Sequence, residues 1–195
     1  MSIWPRRRPA LPAYARAWLS PEERVLTFAS TSGGDLVVAT PRGLWITDRR
    51  QAPAATSNDA DGVSAAEHPA GTLLSWEFIV TAKWSGNSLS VVSAEQAAPQ
   101  IMRRLPARTL ALPEPADLPR VVRQRIERSV AASHRRPLRS GGSVLLVGRR
   151  VSGSNGLLWY AVFDREADVD DQHAREEVAL MLETAAASTA GPEAD

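Results

Sequence analysis

Along the stretch LLSWEFIVTAKW, Leu74, Trp76, Phe78, Val80, Ala82 and Trp84 fall on one parity, and Ser75, Glu77, Thr81 and Lys83 on the other. Period-two alternation over this length predicts a strand with one buried face. Ser85-Gly86-Asn87 then turns the chain, and SLSVVS returns as the partner strand. Upstream, ERVLTFAS, a Ser32-Gly33-Gly34-Asp35 turn and LVVAT predict a hairpin in which Val25, Leu26 and Phe28 are available for burial. Pro41-Arg42-Gly43 bends the chain again, because proline fixes φ and glycine frees the backbone, and LWITD follows as a third strand. Downstream, EQAAPQIMRRLPA is less regular and RTLALP predicts a closing strand.

The period then changes. Asp117 is placed to cap a helix read over LPRVVRQRIERSVAASHRR, with Pro119 in the tolerated first turn and Leu118, Val121, Val122, Ile126 and Val130 on one face. SVLLVGRRV and GLLWYAVFD, joined by Ser152 to Asn155, predict a second hairpin. Asp170 or Asp171 caps a last amphipathic helix that uses Ala174, Val178, Met181 and Leu182. Between these elements, residues 49–71 carry few large apolar side chains to offset the entropy of ordering, and predict a flexible insertion. Residues 1–12, with three prolines and Arg6-Arg7-Arg8, predict a mobile basic arm, and YARAWLSPEE a short helix or turn that drops Trp18 onto the body.

The predicted fold class is α+β: a bent antiparallel sheet or partly open barrel with a packing helix, followed by a β-hairpin and a C-terminal helix. The expected division is an arm over 1–12, a body over 13–134 with the insertion 49–71, a hairpin and helix over 135–186 on the same body, and a flexible tail over 187–195.

Composition narrows the chemistry. The 195 residues are 44% hydrophobic, enough for a real core. Cysteine is absent, which removes disulfides, thiolate nucleophiles and Cys-based metal sites. No apolar run approaches the roughly 20 residues that span a bilayer, and the N-terminus lacks the continuous apolar stretch of a secretory signal, so no transmembrane segment and a cytoplasmic location are expected. Lys83 is the sole lysine among 23 basic residues, a bias that high-GC bacterial codon usage explains. The net charge is only +1, so any attraction to nucleic acid or acidic lipid must come from local clusters.

The succession ERVLTFAS, LVVATPRGLWITD, SWEFIVTAKWSGNSLSVVS and LPRVVRQRIERSV resembles bacterial pleckstrin-homology-like domains, and a set of uncharacterised conserved proteins of high-GC bacteria, over roughly residues 24–134. The resemblance rests on a Thr-x-x-Gly-Leu bend (Thr40, Gly43, Leu44), a Trp-rich strand and a terminal helix. It implies a small bent antiparallel barrel plugged by a helix, with no catalytic residue. Such domains bind phosphoinositides, peptides or partner proteins. Here the first hairpin holds STSGGDL where phosphoinositide binders carry dense Lys/Arg, which argues against that ligand.

Motifs for catalysis or metal binding are missing. Asp164, Glu166, Asp168 and Asp170 alternate as in a calcium loop, but Val169 stands where the loop needs glycine and Arg175 where it needs a bidentate glutamate. An acid-rich helix N-terminus accounts for them through the helix dipole. His68, His134 and His173 show no i,i+4 metal-binding pair, SGSNG and RSGGS read as turns, and neither a nucleophile elbow nor a phosphate loop occurs. Trp76 and Trp84 read as core, whereas Trp45 lies out of phase with Leu44 and Ile46 and, with Arg42, is the ribbon's candidate for display.

Arginines supply the remaining candidates. On the first long helix Arg120, Arg123 and Arg128 lie outside or beside the apolar stripe, while Arg125 and Ser129 fall within it. An arginine in that place must be paired or snorkel along its stem to water. Arg135, Arg136 and Arg139 extend the helix end, where they would complement its dipole, and Arg149-Arg150 stand near a hairpin tip. If the fold brings them together, Arg120, Arg123, Arg128, Arg135, Arg136, Arg149 and Arg150 form the candidate binding patch; the competing reading is a solvated face. The expected function is a non-enzymatic adaptor or scaffold that binds a protein partner, without cofactor or metal. The alternative is association with anionic lipid or nucleic acid through the clustered arginines, whose signature is salt-sensitive binding. Oligomeric state is left open by the sequence.

Overall fold

The computed structural model describes residues 11–16, 19–47, 71–150 and 157–189. Arg6 to Arg8, Trp18, His68, residues 49–70 of the expected insertion and the predicted 152–155 turn lie outside the described residues. After the short helix α1 (Ala13–Arg16), strands β1 (Thr27–Ser30), β2 (Leu36–Ala39), β3 (Gly43–Ile46) and β4 (Thr72–Ser75) form a four-stranded antiparallel sheet in that order. The second sheet has seven strands: β5 (Ile79–Ser85), β6 (Ser88–Ala98), β7 (Ile101–Arg104), β8 (Arg108–Ala111), β9 (Val130–Pro137), β10 (Ser143–Arg150) and β11 (Leu157–Phe163). Helices α2 (Leu118–Ser129) and α3 (Gln172–Thr189) complete the α+β fold.

β6 organises the second sheet. β5 pairs along one edge, and β8 and then β7 share the other, with Leu105 N–H donating to the Ser93 carbonyl where β7 gives way to β8. β7 also pairs in parallel with β11, which continues the sheet through β10 to β9. The N-terminal barrel wall and the C-terminal hairpin thus share one curled sheet.

Burial follows the side-chain alternation. Val37, Ala39, Leu44 and Ile46 point from the first sheet toward Ile79, Leu89, Val91 and Leu110 of the second, and Leu118, Val121 and Val122 of α2 close this core. Each such fully buried leucine or isoleucine contributes about 1.5–3 kcal/mol. The opposite face of the first sheet is also covered: Leu36 and Val38 are buried with Ala15 and Leu19, and Phe28 and Trp45 pack beside them. A separate core lies between α3 and β7, β10 and β11, where Val144, Leu146, Trp159 and Phe163 meet Ala174, Val178 and Leu182, as the helical stripe predicts. Asp171 caps α3 by accepting from the His173 N–H at 3.0 Å. The helix continues through residues 187–189, assigned to the tail on sequence, because the Trp159 indole N–H donates to Thr189 Oγ1 at 3.1 Å.

Three sequence expectations change. The alternating run Leu74 to Trp84 is two strands in different sheets, broken by a 3-10 turn over Trp76–Phe78. Phe78 and Val80 consequently turn to a cluster with Val147 and Val162, while Trp76, Ala82 and Trp84 stay with the barrel core. A one-residue register shift between Ile79 and Thr81 accommodates the change of phase. Second, the helix read through Arg136 ends at Ser129, and Val130 begins β9 without a loop. The Ser129 hydroxyl donates back to the Ile126 carbonyl at 2.9 Å, and the ladder with β10 then claims the next residues. Third, the Asp117 carboxylate makes no cap hydrogen bond and instead pairs with Arg120 at 3.5 Å. The irregular QIMRR stretch contains β7, which its partners on both edges specify.

One side chain ties the halves together. Arg149, in β10 where the register with β9 slips, is only 3% exposed. It donates from Nη1 to the Trp76 carbonyl (3.2 Å) and to Ser129 Oγ (2.8 Å), and from Nη2 to the Ile79 carbonyl (2.7 Å). The C-terminal hairpin, the sheet-switching turn and the end of α2 are thereby joined through one guanidinium. Arg149→Met keeps an apolar stem but leaves these buried acceptors unpaired, and should cost about 2–4 kcal/mol. A lower urea midpoint would show it; a variant as stable as the parent would mean that packing alone holds the joint.

Candidate functional site

The bend between β2 and β3 sets one wall of the site. The Thr40 hydroxyl accepts from the N–H groups of Arg42 (3.3 Å) and Gly43 (3.4 Å), and donates to the Gly43 carbonyl (3.2 Å). A Cβ at Gly43 would collide with the Leu74 carbonyl, so the close approach of β4 requires glycine there. The Trp76 indole N–H donates to the Thr40 carbonyl at 2.9 Å, and the Arg42 carbonyl accepts from the Trp76 N–H and the Ser75 hydroxyl, both at 3.3 Å. The bend is thus locked to the 3-10 turn, and Arg42 projects from it.

The opposing wall is the last turn of α2 together with the end of β10. Between the walls lies a hollow of about 600 Å³ with Arg42, Arg125, Arg128, Arg150 and Glu77 in its lining. Pro41, Leu73 and Trp76 contribute apolar surface, and Ser75 and Ser129 contribute hydroxyls. The guanidinium groups of Arg125, Arg128 and Arg150 make no hydrogen bond or ion pair among the described residues. Arg42 is held loosely, 3.6 Å from the buried Glu23 carboxylate, with its side chain 65% exposed.

Beneath this rim the charges are committed. Burial lowers the pKa of Arg149, opposed by the nearby Glu77 carboxylate and by Tyr160. Burial also raises the Tyr160 pKa, and Glu77 pushes it the same way, so the phenol is neutral at physiological pH. Glu77 Oε1 lies 3.4 Å from the Ser75 hydroxyl and shares its single proton with the Arg42 carbonyl. Arg149 and Glu77 offset each other electrostatically, and the rim arginines remain in excess.

The sequence-derived patch is therefore divided. Arg128 and Arg150 reach the hollow and are joined by Arg42. Arg120 lies apart with Asp117, and Arg123 is exposed on α2 outside the lining. Arg135 and Arg136 stand on β9 and not on a helix end, so they have no α2 dipole to complement. Arg135 pairs with Asp164, and Arg136 lies beside Arg139, His134 and Glu177 in a separate hollow of about 400 Å³. Arg149 does not belong to the exposed patch at all, since its donors face buried carbonyls and a serine. Trp45 is likewise no display residue: it is half-buried against the N-terminal segment, and its indole N–H donates to Glu23 Oε1 at 3.4 Å.

Arg125 and Glu77 are additions to the site. Arg125 was visible in the sequence as a misplaced charge on the apolar stripe of α2, and its half-buried side chain lining the hollow explains that position. Glu77 carried no signal, because it occupied the polar parity of an apparently regular strand. The chain matches no family model, no curated protein and no solved structure. Its geometry alone bears on function. Among the described residues no group of His, Asp and Glu is arranged to hold a metal ion, and no helix is long and apolar enough to cross a membrane.

A second polar cluster is saturated. Asp164 accepts from the Ser143 hydroxyl and from Arg135, and from Arg104 Nη1 at 3.1 Å. Burial raises its pKa, but the Ser143 and Arg104 hydrogen bonds and the two arginine charges outweigh that, and the carboxyl is held below its ordinary value. An acid with a depressed native pKa stabilises the fold above its unfolded pKa and loses that contribution as pH falls through the native one. Asp164→Asn should therefore cost about 2 kcal/mol near neutrality. Its melting temperature should converge toward that of the parent only below the ordinary carboxylate range; a gap constant from neutral pH to strong acid would remove the charge from the explanation.

Proposed function

We propose that the chain is a non-enzymatic interaction module, an adaptor or scaffold on a pleckstrin-homology-like body, that binds a protein partner in the cytoplasm. The observation that carries this reading is the set of three guanidinium groups, from Arg125, Arg128 and Arg150, that line a hollow without a partner among the described residues. Arginine forks suit planar, multidentate recognition of oxyanions. Two polar groups at depth are occupied elsewhere, Asp164 by Ser143, Arg104 and Arg135, and Ser129 by Arg149 and the Ile126 carbonyl, while Glu23 accepts from Trp45 through Oε1 and faces Arg42 through Oε2 without a hydrogen bond there. Such groups stabilise structure and are poorly placed to act as catalytic acids, bases or nucleophiles.

Support for the body type is architectural. The four-stranded sheet and the β5, β6 and β8 part of the second sheet enclose one core, and the apolar stripe of α2 closes it. This is the arrangement that the resemblance over residues 24–134 implies.

Affinity capture on the tagged full chain tests the reading, using nuclease-treated lysate of the native host and washes at low and moderate salt. A specific protein should survive moderate salt on the parent and be lost from an Arg128→Glu, Arg150→Glu double variant that remains folded. Recovery of only salt-labile lipid or nucleic acid would replace the protein partner by an anionic surface.

A further inference from the structure

We propose that the hollow between the β2–β3 bend and the end of α2 binds an acidic segment of a partner polypeptide, with carboxylate side chains on Arg125, Arg128 and Arg150 and a neighbouring apolar side chain against Leu73 and Trp76. The proposal rests on the interaction-module reading and specifies the ligand chemistry.

Charge is the first reason. Three guanidinium groups without partners among the described residues stand around the hollow, Arg42 stands loosely paired at its edge, and Glu77 is the carboxylate in its lining. Glu77 is opposed from below by the buried Arg149, so the excess at the rim is cationic. A ligand bearing two or three separated carboxylates matches that excess, and each can take a bidentate fork.

Shape and lining distinguish a peptide from other anions. A flat bilayer surface meets a concave site only at its rim, whereas this site presents Leu73, Pro41 and Trp76 within it. Apolar lining rewards a ligand that alternates charged and apolar side chains. A nucleic-acid backbone would place successive phosphates against Glu77 and leave the apolar surface without a partner.

The walls are preorganised. Arg125 and Arg128 ride on α2, anchored by Leu118, Val121 and Val122, and Arg150 follows the clamped Arg149. Arg42 sits on a bend fixed by Thr40 and Trp76. Ligand entry therefore orders side chains and not elements, which limits the entropic cost of binding.

Fluorescence anisotropy with the full chain provides the test. The probe is a labelled dodecapeptide of mixed Glu, Asp and Leu, compared with its Gln/Asn counterpart, a phosphoserine counterpart, single-stranded DNA and phosphatidylglycerol vesicles. The acidic peptide should bind and the neutral one should not. Arg125→Gln with Arg128→Gln should weaken binding roughly tenfold or more, while Arg123→Gln, outside the hollow, should leave it unchanged. Glu77→Gln should shift affinity the opposite way, strengthening it severalfold, a sign that general loss of structure would not produce. Equal binding by the parent and the Arg125/Arg128 variant, or stronger binding of DNA or vesicles than of both acidic peptides, would overturn the proposal. Preference for the phosphoserine peptide would replace carboxylate by phosphate as the recognised group. If lysate capture yields a protein partner while no acidic peptide binds, the acidic-segment proposal falls and the interaction-module reading stands.

Discussion

The buried guanidinium of Arg149 is the interaction on which the rest of the molecule depends. A charge taken almost wholly out of water is tolerated only when its donors are satisfied, and here two carbonyls and a serine hydroxyl accept them. The two carbonyls belong to Trp76 and Ile79, at either end of the turn where the chain leaves one sheet for the other. That turn would otherwise expose backbone acceptors to an apolar interior. Arg149 thus solves a local problem of the barrel and, because it comes from β10, fixes the C-terminal hairpin against it.

The candidate site follows from this joint. Arg150 is carried to the rim because its neighbour is clamped beneath, and Ser129, which helps hold Arg149, also marks the point where α2 ends and β9 begins. Arg128 occupies that last helical turn, and Arg125 lies just before it. On the facing wall, the Thr40 and Gly43 bend and Trp76 share hydrogen bonds with the same sheet switch. A single structural knot therefore sets both walls of the hollow, and its interior charge balance leaves the rim positive.

Elements whose apolar pattern is local were legible in the sequence. The strands of the first ribbon, the β5–β6 and β10–β11 hairpins, the stripe of α2 and the stripe of α3 each carry their own period, and all form. Elements defined by partners were not. β7 has four residues, two of them arginines, and exists because β6 and β11 flank it. β9 reads as a continuation of α2, since Ala, Ser and Arg are compatible with a helix and only the β10 ladder selects the strand. The Leu74 to Trp84 alternation concealed a change of sheet, because a 3-10 turn followed by a one-residue register shift preserves much of the apolar parity.

The same division applies to the charged residues. Sequence by itself determined the α+β class, the two helical stripes, the turns at Ser32–Asp35 and Ser85–Asn87 and the anomaly of an arginine on the apolar face of α2, because each depends on side-chain period or backbone freedom within a few residues. Tertiary structure alone decided which arginines act together. Arg149 and Arg150 are identical and adjacent, yet one lies beneath the sheet switch and the other at the rim, because successive strand residues point to opposite faces. Arg135 was drawn to Asp164, and Arg42 was joined to the α2 arginines across the hollow. Charge states were readable from composition; their partners were not, because pairing depends on distances that only the folded chain creates.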